Sequence, residues 1–504
     1  MRKSLLMGAT LICASGAAAH QRPNILFILC DDMGYGDLAC YGQKYISTPN
    51  IDRLAAEGML FTQAYAGSPV SAPSRACLMT GQHTGHTWVR GNREYWPKSG
   101  TVRYGDNTDY AVVGQEPYDS AHVILPEIMK DNGYRTGMFG KWAGGYEGSW
   151  STPDKRGVDE YYGYICQFQA HLYYPNFLNS YSRAAGDTAV RRVVMEQNIR
   201  YPMFGAGYFH RSEYSADSIH AHAMAWLDRQ DEAHPFFALL TYTLPHAELA
   251  QPEDSIVKAY RRRFSGDKSW GGQQGSRYNP VTGVHAEFAG MITRLDAYVG
   301  QLMEKLREKG LDKNTIVIFS SDNGPHEEGG ADPAFFNRDG LLRGLKRSCL
   351  EGGIRIPFIV RWPAHIKAGV RSDHQLAFYD IMPTLCDLIG VRHYVKRYTN
   401  PRKAIDYFDG LSFAPLLKGK TARQKEHDHL YWEFHETDQI AVRKGNWKLR
   451  VVKGNCELYD LATDLHEDHN VAALHPDIVR RLKAIIRQEH VESPLFRVTL
   501  PAGL

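Results

Sequence analysis

Apolar residues gather along this chain in short runs, and the runs stop at chemically active side chains. "ILFILC" (25–30) stops at Asp31 and Asp32, "YRTGMF" (134–139) at Gly140 and Lys141, and "TIVIFSS" (315–321) at Asp322 and Asn323. "FFALLTYT" (236–243) stops near His246, and "IPFIVRW" (356–362) is a fifth run. Runs of this kind predict strands buried on both faces. Between them, residues 51–58, 218–229 and 287–309 repeat apolar side chains at helical spacing. The alternation predicts an α/β fold, a large mostly parallel sheet covered by helices on both faces. Ligands of such sheets bind beyond the carboxyl ends of the strands. Four of the runs therefore deliver two acidic pairs, a histidine and a lysine to one edge.

The pattern changes toward the C-terminus. "QIAVRKGNWKLRVV" and "CELYDL" read as antiparallel strands with turns at 444–446 and 453–455, and "HPDIVRRLKAIIRQEH" (475–490) as an amphipathic helix opening on a proline. This predicts a catalytic domain over residues 20–395 and a smaller antiparallel sheet-plus-helix subdomain over 396–504.

Residues 1–19 read as a signal peptide. Arg2 and Lys3 precede a mostly apolar stretch, and Ala17, Ala18 and Ala19 offer a cleavage site before His20. The expectation is an exported bacterial protein, periplasmic or secreted. The leader is too short for a membrane span, and Ile12 before Cys13 argues against a lipid anchor. The other seven cysteines are scattered, without a disulfide framework or zinc knuckle. A net charge of +3 gives no pull toward nucleic acid.

Two features carry chemistry. Asp31, Asp32, Asp322 and Asn323 would crowd oxygens at one sheet edge, and all-oxygen ligation suits Ca²⁺ or Mg²⁺ better than zinc. "VSAPSRACLMTG" (70–81) predicts a helix with Pro73 in its first turn and Ser71 just outside its N-terminus, where an anion is favoured. Arg75 in the first turns opposes the helix dipole, so a negative partner is expected.

Together these motifs resemble a type I, formylglycine-dependent sulfatase of the alkaline phosphatase-like superfamily. "PNILFILCDDMGYGD" is similar to the family's opening strand and metal aspartates, and "SAPSRACLMTG" to its Cys/Ser-x-Pro-Ser-Arg signature. "GYRTGMFGKW" is similar to the second signature, and "SDNG" and "LRGLKRSCLEGGIRIP" to the second metal pair and a sulfate-binding lysine. The resemblance implies that Ser71 is oxidised by a radical maturase to formylglycine, whose hydrate attacks sulfur with one hydroxyl and expels sulfate with the other. It implies Ca²⁺ held by Asp31, Asp32, Asp322, Asn323 and modified residue 71. Arg75 would stand beside them, Lys141 and Lys346 would neutralise the sulfuryl oxygens, and His246, with a pKa near neutrality, would protonate the leaving oxygen. The second signature commonly continues Gly-Lys-Trp-His. Ala143 stands at that histidine's position here, and His83, His86 and His326 are candidate replacements.

For the substrate, the aromatic stretch "YYGYICQFQAHLYYPNFL" (161–178) reads as a sugar platform around His171, and Glu327, Glu328 and Asp332 as acceptors for sugar hydroxyls. Arg347 follows Lys346 and could share the pocket. These segments resemble carbohydrate sulfatases of gut and marine bacteria. The expected substrate is a 3-O-sulfated galactose-type sugar, with His171 near the axial hydroxyl. The rival readings are a phosphatase or phosphodiesterase of the same superfamily, a sulfatase for another sugar position, an inactive carbohydrate-binding protein, and a lipid- or choline-headgroup hydrolase.

Overall fold

Ten strands form the main sheet. Numbered along the chain they are β1 (Asn24–Cys30), β2 (Met59–Phe61), β3 (Arg135–Lys141), β4 (Glu160–Tyr164), β5 (Phe177–Ser182), β6 (Arg191–Val194), β7 (Phe236–Thr241), β8 (Thr315–Ser321), β9 (Phe358–Arg361) and β10 (Val370–Ser372). They lie in the order β10-β2-β9-β8-β1-β7-β3-β4-β5-β6. The structure, a computed structural model, describes residues 22–95, 114–195, 198–200, 208–272, 278–336, 342–399 and 408–504. The expected leader, its cleavage point and Cys13 lie outside the described residues.

The five central strands, β8 to β4, run parallel. The sheet is mostly parallel, as expected, and β10 is parallel to β2, but the flanks are mixed. β9 runs antiparallel to both β8 and β2, and β5 antiparallel to both β4 and β6. The run at 356–362 is thus an antiparallel strand. An unbroken apolar run reports burial on two faces, which here does not require parallel neighbours.

Alternation along β1 divides the core. Ile25, Phe27 and Leu29 pack with α2 (Ser71–Thr80), α3 (Leu125–Asp131) and α7 (Ile381–Leu388) on one face. Leu26, Ile28 and Cys30 pack with α1 (Pro49–Ala56), α4 (Ser215–Asp228), α5 (Ser255–Arg263) and α6 (Val284–Glu308) on the other. The expected helices are present, α4 and α6 each starting three residues earlier than the sequence pattern indicates.

The C-terminal region holds a four-stranded antiparallel sheet, β11 (Leu430–Phe434), β12 (Gln439–Lys444), β13 (Trp447–Val452) and β14 (Asn455–Asp460), and helix α8 (Pro476–Glu489). β11 was not expected. One sheet face packs Leu430, Trp432, Phe434 and Ala441 onto Tyr65, Val70, Ile354 and Tyr379 of the larger region. The other packs onto Ile478, Leu482 and Ile486 of α8. This docking holds the β11–β12 turn against the main sheet's chemistry. Among the described residues, seven cysteines are free thiols. Among the described residues no helix is long and apolar enough to cross a membrane.

Candidate active site

The sheet order makes neighbours of the four groups. Cys30 pairs with Ser321, so Asp31–Asp32 and Asp322–Asn323 leave adjacent strand ends. β7 pairs Thr241 with Gly140 of β3, which sets the His246 turn beside Lys141. Gly140 has φ 123°, and a Cβ there would lie 2.0 Å from the Thr241 carbonyl oxygen, so only glycine permits this close approach. Asp32 has φ 61°, a strained conformation of the kind functional sites retain.

Helix α2 supplies the remaining groups. Ser71 is its first residue rather than the residue before it, and Val70 is the extended cap. Asn92 Oδ1 accepts the Ala72 N–H at 3.1 Å, satisfying one N-terminal donor, while Pro73 has none to satisfy. Ser71 Oγ donates to Asp31 Oδ1 at 2.7 Å. Arg75 is fully buried. Its Nε donates to Asp322 Oδ2 at 2.9 Å and its Nη1 to the Lys141 carbonyl at 3.2 Å. Burial opposes the Arg75 charge, but Asp322 and Asp31 outweigh it and raise its pKa. They are the negative partners its position demands.

Lys141 Nζ lies 2.7 Å from Asp31 Oδ2, and Lys346 Nζ 2.8 Å from Asp32 Oδ2. Against the cost of burial, Lys141 and Arg75 hold the Asp31 carboxyl well below the usual range. Burial followed by the neighbouring Asp31 charge pushes Asp322 up to about 7. Asn323 Nδ2 donates to Asp32 Oδ1 at 2.7 Å, while its Oδ1 is buried without a hydrogen-bond partner. An orphaned buried oxygen amid three carboxylates, one of them destabilised as an anion, fits a hard divalent cation. Asp31, Asp32, Asp322 and Asn323 would hold it.

Ser71, Lys141 and Lys346 line the floor of a cavity of about 390 Å³, and Asp31 and Asp32 bond to them from behind. His246 sits on its wall. Its Nδ1 donates to the Ala247 carbonyl at 2.5 Å, so Nε2 is the acceptor that receives Lys346 Nζ at 2.8 Å. Burial pushes its pKa down to about 4, although Asp32 pulls the other way. This corrects the expectation of a value near neutrality: a histidine 1% exposed loses the solvation its cation needs. His171 stacks on His246, ring centroids 4.5 Å apart and 7° from parallel. Glu328 lies between Lys346 (3.4 Å) and Arg347 (2.5 Å), and those cations hold its carboxyl well down despite burial.

Other expected positions fall elsewhere. Asp332 does not line this cavity. Lys268 Nζ at 2.8 Å and His285 Nε2 at 3.0 Å hold it in a neighbouring cavity of about 740 Å³, which Glu327 also lines. The aromatic stretch around His171 is no platform, because Tyr161, Tyr164, Tyr173 and Phe177 are buried in the core. Tyr173 instead braces the His246 turn, donating to the Thr243 and His246 carbonyls at 2.8 and 3.0 Å.

None of the candidate replacements for the histidine at Ala143 faces Ser71. His83 and His86 pair with Glu489 and Asp409 beneath the C-terminal sheet. Both His326 ring nitrogens are taken, by the Pro245 carbonyl and the Glu328 N–H. The cavity also takes Asn92, Glu94, Gln167, Tyr278 and Glu436, which were not singled out. They come from four separate segments, and the one legible cue is the closeness of Asn92 and Glu94 to each other and to the Ser71 helix.

A parallel-centred sheet whose strand ends carry an oxygen-rich cation cradle, a serine at a helix start and two lysines defines an ester hydrolase for tetrahedral oxyanions. The family follows from comparison. The sulfatase family model matches residues 23–391, and the model for the N-sulphoglucosamine sulphohydrolase C-terminal region matches 345–492. The chain belongs to the sulfatase family and is a sulfuric ester hydrolase. N-acetylgalactosamine-6-O-sulfatase of Bacteroides thetaiotaomicron is 29% identical, covering 92% of this chain and 93% of that one. Human arylsulfatase A is 30% identical, covering 94% and 89%. Among solved structures, Ps i-CgsB in complex with k-i-k-neocarrahexaose is 26% identical with a TM-score of 0.69, covering 96% of each chain.

Proposed function

We propose that this protein is an exported carbohydrate sulfatase that removes a sulfate ester from a galactose-type sugar. The favoured linkage is 3-O-sulfate. The reading rests on one observation: Ser71, Lys141, Lys346 and His246 line a polar cavity large enough for a sugar, with the cation cradle bonded to them from behind. The name of the similar Bacteroides protein supports a galactose-type ring, and that of the carbohydrate-bound neighbour a carbohydrate substrate. The former name favours 6-O-sulfate as a second reading. Export follows the reading of residues 1–19.

Ca²⁺ held by Asp31, Asp32, Asp322, Asn323 and residue 71 would supply Lewis-acid polarisation of the sulfate. Formylglycine at position 71, made by a maturase, would supply the activated nucleophile. The chain's own residues do the rest. Arg75 fixes Asp322 and keeps the floor from repelling an anion. Lys141 and Lys346 present ammonium groups where charge develops on the sulfuryl oxygens. The Ala247 carbonyl fixes His246 so that Nε2 faces Lys346, and the couple holds one proton between them for the leaving sugar oxygen. His171, packed on the His246 ring, presents an edge to the sugar.

The test is product release from four matched esters: 3-O- and 6-O-sulfated galactose, 3-O-sulfated glucose, and galactose 3-phosphate. Sulfate release from galactose exceeding phosphate release by about a hundredfold or more is expected. Equal or faster phosphate release would replace the reading with a phosphatase. The 3-O to 6-O ratio decides the linkage.

A further inference from the structure

We propose that Glu436, in the turn between β11 and β12, selects a sulfated sugar that offers it a free hydroxyl and carries no second anionic group at that position. The inference rests on the carbohydrate sulfatase reading and deepens it, since it names the charge class of the substrate.

The turn is fixed against the floor. Thr437 Oγ1 and Gln439 Nε2 each donate to the Arg347 carbonyl at 3.0 Å, Gln439 Oε1 accepts the Cys349 N–H at 3.0 Å, and the Arg347 N–H donates to the Pro69 carbonyl at 2.9 Å. Glu436 Oε1 accepts the Asn92 N–H. Asn92 is the residue whose Oδ1 accepts the Ala72 N–H, next to Ser71. The Glu436 carboxylate therefore stands one residue's width from the nucleophile's helix, on the cavity lining, where burial raises its pKa although Arg347, His435 and Lys346 oppose the rise.

Charge around it is uneven. The cavity's cations are engaged: Lys141 with Asp31 at 2.7 Å, Lys346 with Asp32 at 2.8 Å, and Arg347 with Glu328 at 2.5 Å. No described residue forms an ion pair with Glu436, and Glu94 adds a second carboxylate to the lining. The floor is built for one anion, and the mouth presents the opposite preference. A hydroxyl meeting Glu436 donates a charge-assisted hydrogen bond. A sulfate or uronate there would meet a like charge, a repulsive element of the kind that gives specificity.

The experiment compares kcat/KM for a galactose monosulfate with that for the same sugar bearing a second sulfate, in the wild type and Glu436→Gln. The wild type is expected to prefer the monosulfate by about tenfold or more, and the variant to lose most of that preference, chiefly through KM for the disulfate. As a second measurement, raising NaCl from about 0.05 to about 0.5 M should shrink the wild-type preference, because screening weakens the repulsion. A preference unchanged by both Glu436→Gln and salt overturns the proposal and leaves the sulfatase reading standing. No sulfate release from any sugar ester overturns both.

Discussion

At and behind the floor of the cavity, Asp31, Asp32, Ser71, Arg75, Lys141, His246, Asp322 and Asn323 hang from a strand end, the turn just after one, or the first turns of α2, and are at most 2% exposed; Lys346 joins them from the loop between β8 and β9. At the mouth, Glu94, Gln167, Tyr278 and Glu436 come from four separate segments, one of them the turn of the C-terminal sheet. The floor is rigid, charge-matched and built for an oxyanion. The mouth is loop-borne, carries carboxylates and is suited to hydroxyls. The reaction and the choice of sugar are therefore encoded in different kinds of structure, and substitutions in the two regions should fail in different ways.

Breaking the floor gives the largest effects. Asp31→Ala or Asp322→Ala should lower kcat/KM on every ester by about a thousandfold or more, since cation and nucleophile depend on the same carboxylates. Added Ca²⁺ should raise the wild-type melting temperature and leave that of Asp322→Ala unmoved. Full activity after dialysis against excess chelator would remove the cation from the account.

Substitution of His246 lies next in size and separates bond breaking from binding. His246→Ala should cost about a hundredfold or more on a sugar sulfate, whose leaving group needs a proton. It should cost far less on an activated aryl sulfate. Equal losses on both would assign His246 to sulfate binding.

The same contrast explains what could be read from the sequence. Apolar runs ending in Asp31–Asp32 and Asp322–Asn323 were legible because a buried strand leaves a periodic signature and its carboxyl end has a known use. The antiparallel flanks were not, because burial pattern alone does not state a neighbour's direction. β11 is not legible although its partner β12 is, since the turn holding Glu436 has none of the glycine or asparagine that marks the turns at 444–446 and 453–455. That Asp332 lines the neighbouring cavity is not legible for a similar reason. Its loop was legible as acidic, but the partners that turn it away, Lys268 and His285, lie 64 and 47 residues distant in sequence.

At the mouth the expected effects are smaller and selective. His171→Ala should reduce the preference for galactose over its glucose epimer by about tenfold, the worth of one good hydrogen bond, with little change in melting temperature. If His171 serves only to pack against His246, both epimers should suffer alike and the protein should melt earlier.

The central claim, that Ser71 is the processed nucleophile at the head of α2, is tested most directly by the mass of the peptide that contains it. In an active preparation that peptide should be lighter than its serine form by about 2 Da, as oxidation to an aldehyde requires, and the modified fraction should track the active fraction. A fully active preparation in which the peptide retains the mass of unmodified serine would contradict the account.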